Sequence, residues 1–299
     1  RGNVSTSKIM SDVIIALIPA LLASGVIFGG RALMLTGFCM ICAMGLERLC
    51  NLLMKRESSV GDLSAAVTGM LLAFNLPVTI SFFKAFLGVF VAIVVTKQLF
   101  GGLGHNFANP AIVGRIVLMV SFPAAMTNWA VPFYDPKAVV TGATPLASEN
   151  ADYRQLFLGN VGGCLGETCK AALLIGALYL IAKKVISPAA PLAFIGTVFC
   201  FSLLTGRDGL YQILSGGLIL GAFFMATDYV TTPITTAGKL VFGIGCGIIT
   251  CVIRFYAGYP EGVSFSILLM NIVTPLIDMA TLKRSPVAKY VKAKESEEA

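Results

Sequence analysis

Gln98-Leu99-Phe100-Gly101-Gly102-Leu103-Gly104-His105-Asn106-Phe107 reads in register with Arg254-Phe255-Tyr256-Ala257-Gly258-Tyr259-Pro260-Glu261-Gly262-Val263. In each, an aromatic residue, a turn of small residues and a fresh apolar run follow in order. Upstream, residues 69–77, an apolar run broken by Asn75 and Pro77, parallel residues 221–233, which carry Asp228 and Pro233. The offset is about 155 residues. If five spans fill it, the two halves lie inverted in a membrane, because five is odd. Inverted repeats with interrupted helices bring polar backbone to mid-membrane, where substrate and ion sites form. Chance likeness between two glycine-rich hairpins is the competing explanation.

Composition supports the membrane. The chain is 57% apolar and only 12% charged, against about 25% charged in ordinary soluble domains, and its mean hydropathy is +0.85. A span needs about 20 residues, fewer where protein shields it. The apolar runs predict ten: 12–30, 32–50, 64–80, 82–98, 109–126, 159–182, 189–205, 209–227, 239–257 and 263–281. The expected fold is therefore an all-α polytopic membrane protein of about ten transmembrane helices in two inverted five-helix repeats. Residues 1–158 form the first repeat with a loop at 127–158, residues 159–282 the second, and residues 283–299 a charged tail. The first apolar run continues into further spans, so no cleavable signal peptide is expected.

Charge sets the expected orientation. With the N-terminus inside, the cytoplasmic segments hold Arg1, Lys8, Arg48, Lys55, Arg56, Lys97, Lys183, Lys184, Lys239, Lys283, Arg284, Lys289, Lys292 and Lys294. The opposite side holds Arg31, Lys84, Lys137, Arg154, Arg207 and Arg254, while Arg115 and Lys170 lie within spans. This excess of cations predicts both termini in the cytoplasm. The net charge of +7 follows that rule, with membrane lipid as the neighbour. A nucleic-acid partner is not expected, since no basic stripe marks one face.

Several polar groups need a reason to sit in apolar runs. Glu167 and Lys170 are three apart and would share a helix face, either as a self-neutralising pair or on a charged pathway. Asp278 and Glu47 lie near span ends, where they reach the interface; Asp278 joins Glu167 and Lys170 as an ion-pathway candidate. Polar breaks at Asn106, Asn109, Asp228 and Lys239 are either tight turns or a cleft suited to an anionic or ring-shaped ligand. Cys39 and Cys42 have metal-type spacing without a second pair or a nearby histidine. They read as small apolar filler or as a redox pair; no metal site is assigned.

The longest loop carries Val140-Thr141-Gly142-Ala143-Thr144-Pro145-Leu146. Its small residues are expected to expose the Thr144 hydroxyl on the external side, where it could carry an attached group or simply form a turn.

Together these residues resemble the RnfD component of the Rnf-type ion-translocating oxidoreductase complex and the homologous NqrB component of the sodium-pumping NADH:quinone reductase. The matches run from Ser5-Thr6-Ser7-Lys8-Ile9-Met10 through Lys97–Gly104, Asn109-Pro110-Ala111, Ser121-Phe122-Pro123 and Met126-Thr127-Asn128-Trp129. They continue through Gly142–Leu146, Thr227-Asp228, Val230-Thr231, Gly258–Val263 and Asn271. The resemblance implies a fold similar to urea transporters and a bacterial cytoplasmic (inner) membrane location. It also implies FMN held by a phosphoester to Thr144, with Thr141 the minor alternative, installed by a separate flavin transferase. Partner subunits would hold Fe–S clusters and flavins, and electron transfer between ferredoxin and NAD would drive sodium or proton movement. Some relatives also hold an unmodified riboflavin, for which Asn106, Asn109, Asp228 and Lys239 are the candidate contacts. No dinucleotide fingerprint or Fe–S ligand set is visible, so the expected role is a relay rather than a catalyst acting alone. The rival functions are a small-solute channel or transporter and a purely structural anchor.

Overall fold

The computed structural model of the chain describes residues 5–56, 59–133, 141–142, 144–148, 152–257 and 262–282. The tail 283–299, residues 258–261 of the repeated motif and much of the 127–158 loop lie outside the described residues. Four helices are long and apolar enough to cross a membrane. These are α1 (Thr6–Phe28), α2 (Gly30–Leu53), α13 (Thr236–Tyr256) and α14 (Val263–Leu282). Uninterrupted apolar runs make them, because only a helix satisfies every backbone group inside lipid. Local signals set the ends. Ser5 caps α1 and Thr235 caps α13 by accepting backbone N–H groups, and Gly29, at φ 77°, turns the chain between α1 and α2.

Between these come shorter pieces. In the first half they are α3 (Ser64–Phe74), α4 (Phe82–Phe90) running into a π-helical stretch (Val91–Gln98), α5 (Pro110–Ser121) and α6 (Pro123–Met126). A two-residue antiparallel bridge then pairs Trp129 with Gly142 and Ala130 with Thr141, followed by α7 (Pro145–Ser148) and α8 (Tyr153–Leu158). The second half holds α9 (Lys170–Ala182), α10 (Ala189–Leu204), α11 (Gly209–Leu214) and α12 (Leu218–Leu220), which passes into a π turn (Gly221–Met225).

The breaks correct the expected spans. The span expected at 159–182 is helical only from Lys170, since residues 159–169 run as irregular chain. That chain pairs with the end of α3, where Leu165 N–H donates to Leu76 O at 3.0 Å and Gly166 N–H to Phe74 O at 2.9 Å. The span expected at 209–227 is cut at residues 215–217, and the one at 64–80 stops at Phe74. Phe122 likewise separates α5 from α6. The bridge at Trp129–Ala130 and Thr141–Gly142 is a minor exception to the all-helical expectation.

Close helix approach rests on small residues, as lipid-embedded packing favours. A Cβ on Gly69 would lie 2.6 Å from Cys39 O, and one on Gly243 would lie 2.5 Å from Ala190 O. These contacts seat α3 on α2 and α13 on α10. Cys39 is fully buried in this packing. Large apolar side chains such as Val26, Leu53, Ile41 and Leu204 face outward, as a lipid-facing surface requires.

Candidate functional sites

Two polar regions stand out, one at the helix ends around Asp228 and one beneath Thr144. The first begins where the chain leaves the π stretch. Gly101, Gly102 and Gly104 take φ of 121°, 94° and 93°, values that side chains resist, and they fold Leu103 and Asn106 back against the helices. Asn109 caps α5, accepting from Ala111 N–H at 3.0 Å, with Pro110 at the first helical position. Its Nδ2 donates to Met225 O at 3.3 Å. With the Asn271 amide turned as its neighbours require, Asn271 Oδ1 accepts from Asn109 N–H at 3.0 Å and Nδ2 donates to Thr231 O at 3.2 Å. The polar breaks of the two halves are thereby tied together.

Beside these bonds lies a cavity. Asn106, Asn109 and Asp228 all line it, along with Lys97 and an apolar wall including Leu71, Leu180 and Phe224. Lys239 lines an adjoining cavity that shares Asp228, Thr227 and Tyr229. The four candidate contacts named from sequence therefore converge on one region. Asp228 Oδ2 accepts from the Thr231 hydroxyl at 3.1 Å.

The sequence places Lys97 among the cytoplasmic cations and at the head of the Lys97–Gly104 match, without assigning it a site role. In the fold it is 2% exposed and forms an ion pair with Glu47 Oε1 at 2.7 Å. Glu47 does not reach the interface as expected; it is fully buried and also accepts from Ser59 Oγ at 3.0 Å and Gln98 Nε2 at 2.9 Å. Lys97 donates as well to Ser64 Oγ at 2.6 Å. The π stretch places Lys97 and Gln98 side by side on this carboxylate, and such insertions are common at functional sites. Fifty residues separate the partners, so no local pattern announces them.

The second region lies beneath Thr144. Against expectation, Thr144 is buried, at 5% exposure. Tyr211 donates to Pro145 O at 2.9 Å and holds the start of α7 down. A small cavity lies there, lined by Thr144, Gly163, Glu167, Thr168 and Lys170 together with the apolar Leu146, Val161 and Leu214. Glu167 and Lys170 do not share a helix face, because Glu167 precedes α9. Lys170 donates to the Glu167 backbone carbonyl, and among the described residues no ion pair joins the two side chains. Glu167 Oε1 instead accepts from Cys164 N–H at 3.0 Å. Its Oε2 and the Thr168 hydroxyl are buried without a hydrogen-bond partner among the described residues. Behind them Arg115 donates to Asn75 Oδ1 at 2.5 Å and to Cys164 Sγ at 3.7 Å, a use of Arg115 that its place in a span only hinted at. Asp278 does not line the cavity that Glu167 and Lys170 share; it accepts from Ile234 N–H at 3.0 Å. The three ion-pathway candidates are not gathered.

Residues 1–286 match the NQR2, RnfD, RnfE family. The chain is 48% identical over 294 residues to the D component of the Na(+)-translocating ferredoxin:NAD(+) oxidoreductase complex of Acetobacterium woodii, covering 95% of this chain and 92% of that one. It is 42% identical over 305 residues to the D component of the proton-translocating ferredoxin:NAD(+) oxidoreductase complex of Clostridium ljungdahlii, covering 94% and 92%. With the D component of the ion-translocating oxidoreductase complex of Stutzerimonas stutzeri it shares 35% identity over 325 residues, covering 94% and 92%.

Proposed function

We propose, for a chain that belongs to the NQR2, RnfD, RnfE family, the role of a membrane electron-relay subunit in an Rnf-type complex. That complex would couple electron transfer between ferredoxin and NAD to translocation of sodium ions or protons. The names of its relatives support this reading. The chain would work beside Fe–S and flavin subunits, since it carries no dinucleotide fingerprint of its own.

The relay would depend on FMN joined to Thr144 as a phosphoester by a flavin transferase. When bound, FMN supplies one- and two-electron chemistry, while the protein sets its position and electrostatics. The observation that carries this reading is the pair of polar groups beside Thr144, the Thr168 hydroxyl and Glu167 Oε2, both buried without a hydrogen-bond partner among the described residues. The Thr168 hydroxyl is a donor suited to a phosphate oxygen. The space is tight and holds the Glu167 carboxylate as well, so it would have to widen to admit a phosphate group. Because Thr144 is buried, the transferase would act before the loop seats.

At the other region, the cavity combines an apolar wall with a few amides and a carboxylate. This is the composition of a ring-binding pocket, and unmodified riboflavin is the proposed occupant. The ten-crossing arrangement in two inverted halves, with both termini cytoplasmic and the Thr144 loop external, is proposed on the same footing. Broken helices would also suit a small-solute channel, but the family match favours the redox reading.

Peptide mass spectrometry tests it, on protein from membranes containing the flavin transferase. The peptide holding Thr144 should gain the mass of FMN minus one water, and Thr144→Ala should abolish the gain. An unmodified peptide would sink the relay reading, and a gain that survives Thr144→Ala would transfer the linkage to Thr141.

A further inference from the structure

The seat of Thr144 is shut too tightly for the group that Thr144 would carry. The space beside the residue has a volume of about 10 Å³, room for about one water, and Thr144 itself is 5% exposed. A phosphate bearing a flavin is many times larger. The shut seat and a phosphoester on Thr144 therefore exclude one another.

Two contacts made by the residues just after Thr144 help to shut the seat. Tyr211, on α11, donates to Pro145 O at 2.9 Å. Its ring packs with Leu156 and Val161 in a small apolar cluster, and its own N–H donates to Asp208 Oδ1 at 3.0 Å, so the hydroxyl is held in place. Leu146 fills a notch at Gly216, where its Cδ1 lies 2.7 Å from a Cβ position. Gly216 takes φ 62°, a conformation that side chains resist, and any Cβ there would evict the leucine. Arg254 braces this turn by donating to Gln212 O at 2.8 Å and Ser215 O at 3.3 Å. One neutral hydrogen bond and one half-buried leucine are small contributions beside the packing of whole helices. The start of α7 can therefore lift while the rest of the fold stands.

We propose that α7 is a latch that shuts over Thr144 only while that residue is unmodified, fastened by the Tyr211–Pro145 hydrogen bond and the Leu146 plug. FMN on Thr144 holds the latch open, and a shut latch withholds the hydroxyl from the transferase. Closure and modification compete for one residue, so each disfavours the other to the same degree. The proposal rests on FMN being linked at Thr144.

The test uses the full chain in maltoside micelles, made with and without the flavin transferase. In the chain made without it, Thr144→Cys is treated with N-ethylmaleimide, and labelling at position 144 is followed by peptide mass. Adding Tyr211→Phe should speed that labelling about 2- to 10-fold, the worth of one net hydrogen bond, and adding Leu146→Ala should speed it too. An unchanged rate in both overturns the latch. SDS titration then compares Tyr211→Phe with the wild type in both preparations, once peptide mass has established FMN on Thr144. The unfolding constant should rise about 2- to 10-fold in the unmodified chain and hold steady in the FMN-bearing one. A rise of equal size in both, or none in the unmodified chain, overturns the proposal. Absence of FMN on Thr144 overturns the relay reading and the exclusion with it, while the labelling still decides the latch.

Discussion

Lys97→Met should destabilise the protein by about 3–5 kcal/mol, the usual cost of leaving one member of a buried ion pair without its partner. The magnitude follows from the surroundings of Glu47. Its Oε1 accepts three hydrogen bonds, from Lys97 at 2.7 Å, Gln98 at 2.9 Å and Ser59 at 3.0 Å, and its Oε2 has no partner among the described residues. Removing the ammonium leaves a fully buried carboxylate held by two neutral donors, and also strips the donor from Ser64 Oγ. Hydrogen bonds to charged groups contribute about 1.5–3 kcal/mol, so one lost bond and an unpaired charge together reach the range given. Glu47→Gln, which strands Lys97, should be comparably harmful. The double variant should be much milder than the two single losses added, because no buried charge remains; the coupling is the quantity of interest. The assay is equilibrium unfolding of purified protein in mixed micelles by SDS titration, run on all four members of the cycle. Additive losses, or a Lys97→Met cost below about 1 kcal/mol as at exposed pairs, would refute the claim that this pair staples α2 to the π stretch.

Gly243→Val should cost about 3 kcal/mol or more, the upper end for overpacking. The added Cβ would meet Ala190 O at 2.5 Å and Ala193 Cβ at 2.8 Å, and neither can swing aside; the same SDS titration reads the loss. Asp228→Asn and Asn109→Leu should lower co-purifying riboflavin, measured by chromatography of acid-released flavin, while FMN on the Thr144 peptide stays unchanged. Loss of both flavins together would mean global damage instead. At the loop surface, the hydrogen bond from the Tyr153 hydroxyl holds the Asp208 carboxyl below the usual carboxylate range, with help from the N–H groups of Tyr211 and Leu210. A depressed carboxyl stabilises above its unfolded value of about 3.9, and that contribution fades as pH falls through the folded value. Tyr153→Phe should therefore bring the loss of amide protection in α11 to a higher pH, followed by hydrogen exchange between about pH 3 and 5. An unshifted profile would show that Tyr153 has no hold on Asp208.

Some of this protein is written along the chain. α1, α2, α13 and α14 follow from uninterrupted apolar runs, since in lipid a helix alone satisfies its own backbone. The turn at 101–104 follows from glycines that can take positive φ, and the start of α5 follows from Asn109 and Pro110. The polar breaks at Asn106, Asn109, Asp228 and Lys239 are visible because each interrupts an apolar stretch. Other features required partners distant in sequence. Residues 159–169 look as apolar as a span, yet they pair with the end of α3, and hydropathy does not register whether an N–H is satisfied four residues away or ninety. Thr144 has the small neighbours of an exposed turn, but Tyr211, from another helix, holds it down and buries it. Glu47 and Lys97 each look like residues at span ends. Only the packing of α2 against the π stretch makes them one buried pair, because charge in a low-dielectric interior is governed by what lies within a few ångströms in space and not by position along the chain.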